Sequence, residues 1–262
     1  MGWVSMSENG SALGVAEVTT PTRDELLGEL EEFLVAGRGF TVATVNLDHV
    51  VKLRRDSKFR EAYALHSHVV ADGNPIVWLY RLAGRPVGLI PGSDLVAPLA
   101  ALAARQNVPV ALLGATPETL DLAAARLAAD HENLKIVAKV APSYGFDPAG
   151  EEADACLAEI EASGARLCLV ALGAPKQERL AVRGLERMPN CGFVSIGAGL
   201  DFIAGTQKRA PLWLRRMAIE WLWRLMKDRR RLAKRYRDCA LILPGLAASA
   251  LRYRIESRSK PA

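Results

Sequence analysis

Along the chain, short continuous apolar runs alternate with stretches whose apolar residues recur every three or four positions. Residues 23–36 carry Leu26, Leu27, Leu30, Phe33 and Leu34 at helical spacing, with Thr22 placed to cap the helix and Gly37 and Gly39 to end it. Residues 40–45, Phe-Thr-Val-Ala-Thr-Val, read as a first strand, followed by Asn46 and a helix holding Val50, Val51 and Leu53. Residues 68–71 read as a second strand, closing on Asp72-Gly73-Asn74-Pro75 ahead of a helix over 76–82. Thereafter helices are expected at 93–105, 116–130 and 151–162 and from Pro175 onward, and strands at 108–113, 136–140, 167–172 and 192–196. Strands that alternate with helices across short links build a mostly parallel sheet with helices on both faces, a Rossmann-like α/β body.

Three segments follow from this pattern: a loose leader over 1–22, the α/β body over 23–205, and a basic helical C-terminal appendage over 206–262. The leader contains Glu8 and Glu17 and no apolar stretch of signal-peptide length. The late apolar run over 239–251 is shorter than the ~20 residues a spanning helix needs, and Pro244 interrupts it.

Charge sharpens the division. Residues 1–207 hold 18 Lys and Arg against 25 Asp and Glu, while residues 208–262 hold 16 against 4. An acidic body with a basic tail calls for an anionic partner: nucleic acid, anionic lipid or a phosphorylated substrate. The four cysteines show no paired spacing, and Cys168 and Cys191 sit in apolar runs, so they read as small buried hydrophobes in a reducing, cytoplasmic setting. His49, His66 and His68 are scattered without metal-ligand spacing and read as structural or surface residues.

Candidate chemistry collects where strands end. Thr44 and Asn46 occupy a usual ligand position of open α/β sheets, though Asn46 serves equally as a helix cap. Asp72, beside Gly73, is placed for acid–base work or a ribose contact, against the plainer reading of an Asp-Gly turn. The segment Gly173-Ala-Pro-Lys-Gln-Glu178 puts Lys176 and Gln177 at a helix start, where free N–H groups favour an anion. Its glycine spacing is not that of a P-loop, and Gly197-Ala-Gly199 lacks the third glycine of a dinucleotide fingerprint.

In this order, Thr44-Val-Asn46, Ala71-Asp-Gly73, Leu112-Leu-Gly114, Gly173-Ala-Pro-Lys-Gln-Glu178, Gly197-Ala-Gly-Leu-Asp201, Arg209-Ala-Pro211 and Glu220-Trp-Leu-Trp-Arg-Leu225 resemble the WecG/TagA/CpsF family of bacterial glycosyltransferases. The resemblance covers roughly residues 25–237. It implies transfer of a sugar, typically N-acetylmannosamine, from a UDP-sugar to a polyprenyl-diphosphate-linked acceptor, with inversion, at the inner face of the cytoplasmic membrane. It implies no metal and no other cofactor, in keeping with the lack of an Asp-x-Asp motif. The products feed teichoic acid, common antigen, capsule or exopolysaccharide.

By the same resemblance Asp72 is the catalytic base, and Thr44, Asn46 and Gln177 are polar pocket residues. Arg224, Arg231 and Arg235, with Arg209 beside them, meet the charge that develops on the departing UDP. The appendage is expected to close over the site and to rest on an anionic membrane through Trp213, Trp221, Trp223 and the neighbouring arginines; packing of those tryptophans onto the body is the plainer alternative. The resemblance also implies that the protein can self-associate through the body, as a homo-oligomer of unspecified number. Asn74-Pro75 after Asp72-Gly73 and the missing proline in Lys227-Asp-Arg229 depart from the family pattern, so donor and acceptor stay open. UDP-glucose or UDP-glucuronic acid as donor, an inactive homologue that binds without turnover, and a nucleic-acid-binding protein using the tail are the rivals. The last is disfavoured by the acidic body and the apolar run within the tail.

Overall fold

The computed structural model describes residues 14, 16–207, 210, 211, 214, 223, 226 and 229–259, excepting the side chains of 229–231 and 258–259. Six parallel strands form one sheet in the order β2-β1-β6-β5-β3-β4. They are β1 (Phe40–Val45), β2 (His68–Ala71), β3 (Val110–Gly114), β4 (Ile136–Val140), β5 (Leu167–Ala171) and β6 (Gly192–Ser195). The helices are α1 (Arg23–Val35), α2 (Leu47–Arg55), α3 (Ser57–Ala64), α4 (Asn74–Leu82), α5 (Val96–Arg105), α6 (Pro117–Asp130), α7 (Glu151–Ala162), α8 (Lys176–Arg187), α9 (Gly199–Ala204) and α10 (Arg229–Ser259). The Rossmann-like α/β body expected from the alternation is present, with a C-terminal helix beyond it.

Each strand divides its side chains between two helical layers, because successive residues point to opposite faces. Phe40, Val42, Leu112, Leu169 and Val194 pack under α1, α5, α6 and α9. On the other face, Ala111, Leu113, Cys168, Val170 and Phe193 meet α7 and α8. Ala43, Val45, Val69 and Ala71 meet α2, α3 and α4 on that face, together with Leu246 and Ala250 of α10. All four cysteines are buried and unpaired, the role expected for them. His49, His66 and His68 are buried too, so the structural reading holds for them and the surface one does not.

Local sequence explains most boundaries. Thr22 caps α1 by accepting from the Glu25 N–H, Thr116 caps α6 from Thr119, and Pro117 takes the first turn of α6. Two helices add to those expected. Helix α3 is capped by Asp56 and buries Phe59, Ala62 and Tyr63, and α9 follows the Gly197 turn. Residues 16–20, assigned to the leader, run against β2: Ala16, Val18 and Thr20 are buried, and Thr19 exchanges hydrogen bonds with Val69.

Helix α10 continues through Pro244 rather than stopping there. The proline removes one N–H from the ladder, and burial of Leu246 and Ala250, four residues apart, against α2 and α4 holds the helix to the body. Among the described residues no helix is long and apolar enough to cross a membrane.

Candidate functional site

The chemistry-bearing residues gather at the C-terminal edge of the sheet. β1 and β2 pair in parallel with Val45 opposite Ala71, so the residues that follow them, Asn46 and Asp72, emerge side by side. The Asn46 side chain performs two tasks. Its Oδ1 accepts from the His49 N–H and caps α2, while its Nδ2 donates to Asp72 Oδ2 at 3.4 Å. The capping and site readings of Asn46 are therefore one arrangement. Asp72 donates its backbone N–H to Val45 O, and Gly73, at φ 120, turns the chain directly into α4.

Thr44 is buried, with its methyl close to Gly92 and its carbonyl accepting from Tyr63 Oη at 2.6 Å. Tyr63 Oη in turn lies 2.7 Å from His49 Nδ1. Since the tyrosine proton goes to Thr44, the histidine donates. Desolvation lowers the His49 pKa to about 3, so the ring is neutral and the chain of donors behind the site is fixed.

Two further loops border the edge. Gly173 follows β5 and Gly197 follows β6, both at positive φ. Gln177, in the first turn of α8, joins them: its Oε1 accepts from the Gly197 N–H at 3.1 Å and the Gly173 N–H at 3.3 Å. Its Nε2 donates to Glu178 Oε1 at 2.8 Å. Gln177 is only 2% exposed and Glu178 fully buried. Lys52 of α2 donates to Ala174 O at 3.1 Å while paired with Asp48 at 2.8 Å, tying α2 to the same loop.

Beside these loops lies a cavity of about 630 Å³, lined among others by Thr116, Ser143, Tyr144, Leu172 and Lys176. It opens between β5 and β3, where the chain leaves β5 toward β6 and leaves β3 toward β4 in the opposite direction. Such switch points are where open α/β sheets take their ligands. Tyr144 stands fully exposed on the rim. Among the described residues no group of three His, Cys, Asp or Glu side chains has the geometry to hold a metal ion.

The structure thus brings Thr44, Asn46, Asp72 and Gln177 together along one edge. Arg235 reaches the start of α2 next to Asn46, its Nε 3.2 Å from Asp48 Oδ1. Arg209 and Arg224 lie outside the described residues, as does the side chain of Arg231; Trp213 and Trp221 also lie outside them. Sequence reasoning overlooked Lys52, the buried Tyr63–His49 pair and the Tyr144 rim. The only trace of Tyr63 and His49 was their helical spacing from other core positions.

Residues 11–260 match the model of the glycosyl transferase WecG/TagA/CpsF family, and the chain belongs to that family of glycosyltransferases acting in cell-surface polysaccharide synthesis.

Proposed function

We propose that this protein moves a sugar, N-acetylmannosamine, from a UDP-sugar to a polyprenyl-diphosphate-linked sugar, with inversion and without a metal, at the inner face of the cytoplasmic membrane. The observation that carries this reading is the layout of the sheet edge, with Asp72 after β2 and the cavity at the β5–β3 switch. Three strand spacings of about 4.8 Å separate β2 from β5, roughly 14 Å, a span suited to an extended nucleoside diphosphate sugar. The cavity is of the size that encloses small ligands. Tyr144 offers a ring for the uracil, and Lys176 at the start of α8, whose own N–H and that of Gln177 are bonded to Gly173 O, offers the charge of its ammonium to the diphosphate.

In this mechanism the acceptor hydroxyl attacks the anomeric carbon while Asp72 takes its proton. The bond to UDP breaks with its electron pair going to the phosphate, and the new glycosidic bond forms on the opposite face. Asn46 Nδ2 orients the carboxylate that receives the proton. Lys176 and the tail arginines Arg209, Arg224, Arg231 and Arg235 offset the charge on departing UDP.

The test is UDP release from a panel of UDP-sugars with a polyprenyl-diphosphate-linked N-acetylglucosamine analogue and no added metal. Acceptor-dependent release from UDP-N-acetylmannosamine is the expected result. Release from UDP-glucose or UDP-glucuronic acid instead would reassign the donor, and absence of any UDP binding would remove the reading.

A further inference from the structure

We infer that Glu178 is a positioning residue that acts through Gln177, holding the amide in the one orientation that clamps the two loops bordering the transfer site. The inference rests on the reading of that edge as the site of sugar transfer. Gln177 Oε1 accepts from both the Gly173 and Gly197 N–H groups, one from each loop. A side-chain amide has two ends of similar shape and opposite polarity. Rotated by half a turn, Gln177 would set its own N–H donors against two backbone donors, and the clamp would open.

What selects the orientation is the acceptor at the other end, Glu178 Oε1, 2.8 Å from Gln177 Nε2. Glu178 is a costly residue to keep there. It is fully buried, and its second oxygen, Oε2, accepts no hydrogen bond from any described residue. A buried acid half satisfied in this way weakens the fold relative to an apolar side chain of similar size, so its worth lies in what it holds. Both clamped glycines sit in the left-handed region, Gly173 at φ 71 and Gly197 at φ 55. Their N–H groups have no other acceptor among the described residues. Gly173 also precedes Lys176 by one helical turn, so a released loop would shift the start of α8 and the cavity wall together.

The experiment compares Glu178→Leu and Glu178→Gln by amide hydrogen exchange and by turnover. In Glu178→Leu, the Gly173 and Gly197 amides should exchange faster while Val170 and Val194 in the strands keep their protection, and kcat/KM should fall about 100-fold, as for loops displaced by an ångström. Glu178→Gln retains a carbonyl acceptor and should restore both. Unchanged protection at both glycines in the Leu variant, or a Gln variant as impaired as Leu, would overturn the inference. A loss of protection spread evenly through β5 and β6 would do the same, since it marks general loosening. Should Glu178→Leu fail to fold, the wild type decides: one Gln177 Nε2 proton is expected to be protected from exchange, and an unprotected one refutes the clamp. Failure of the transfer reading is seen separately, as a wild type inert toward every donor with its glycine amides still protected.

Discussion

Glu178 and Asp72 show how differently two carboxylates behave once the fold surrounds them. Burial pushes the Glu178 carboxyl up to about 7 from an ordinary 4.5. The folded state therefore keeps a proton that the unfolded chain has released, so the associated stability is fully present below 4.5 and is lost as pH rises through 7. Glu178→Gln cannot ionise and should escape that loss. Its stability relative to wild type is expected to climb by about 1.4 kcal/mol per pH unit across this window and to level off above it, read by denaturant unfolding at several pH values. His49 and His66 act with the opposite sign. Desolvation lowers them to about 3 and about 4, so the stability they lend is present above 6.5 and lost on acidification. That acid-side loss is common to wild type and variant and cancels in the comparison. Asp72, at the sheet edge beside Asn46, carries the chemical prediction: Asp72→Asn should abolish transfer while leaving UDP binding largely intact. Near-normal turnover in that variant would remove Asp72 as base.

Among the elements, α10 depends most on tertiary contacts. Its sequence is polar and basic, carries a proline, and has Leu241, Leu251 and Ile255 exposed. What seats it is Leu246 and Ala250 against α2 and α4, with Arg55–Asp238 at 3.0 Å and Arg235–Asp48 at 3.2 Å as polar ties. Leu246→Ala should lower stability by about 2–4 kcal/mol, measured by thermal or denaturant unfolding, because a fully buried leucine leaves a cavity. The Arg235–Asp48 pair also allows a test of the diphosphate role. If Arg235 only anchors the helix, Arg235→Ala and Asp48→Ala should alter UDP affinity alike. If it meets the leaving group by exchanging a carboxylate for a phosphate, Arg235→Ala alone should weaken UDP binding, by roughly tenfold for a lost charge-assisted contact. Titration calorimetry on both variants separates the two.

For the molecule as a whole, the segregation of charge sets the expected partner. An acidic body and a tail with 16 basic against 4 acidic residues are the observation on which the proposed contact with an anionic surface rests. Under the membrane reading, co-sedimentation with vesicles rich in anionic phospholipid should exceed that with neutral vesicles and fall as salt rises, since exposed charges are screened. Equal binding to neutral vesicles, or none to either, would count against it. The order of strands matters as much. Asp72 and the cavity are far apart in sequence, and only the arrangement β2-β1-β6-β5-β3-β4 sets them on one edge.

Periodicity alone defined much of the body. β1, β2, β4 and α7 have the bounds read from the chain, because apolar runs and helical spacing are properties of neighbouring residues. The edge-of-sheet motifs were legible for the same reason: glycine, proline and capping residues act within a turn of where they stand. The sequence alone also placed Asn46 and Asp72 at strand ends, but not beside one another. That pairing, the burial of Gln177 and Glu178, the Tyr63–His49 chain and the passage of α10 through Pro244 were decided by tertiary structure. Each depends on which surfaces meet, and burial raises the carboxyl of a helix-start acid such as Glu178 to about 7 only once α8 lies on the sheet.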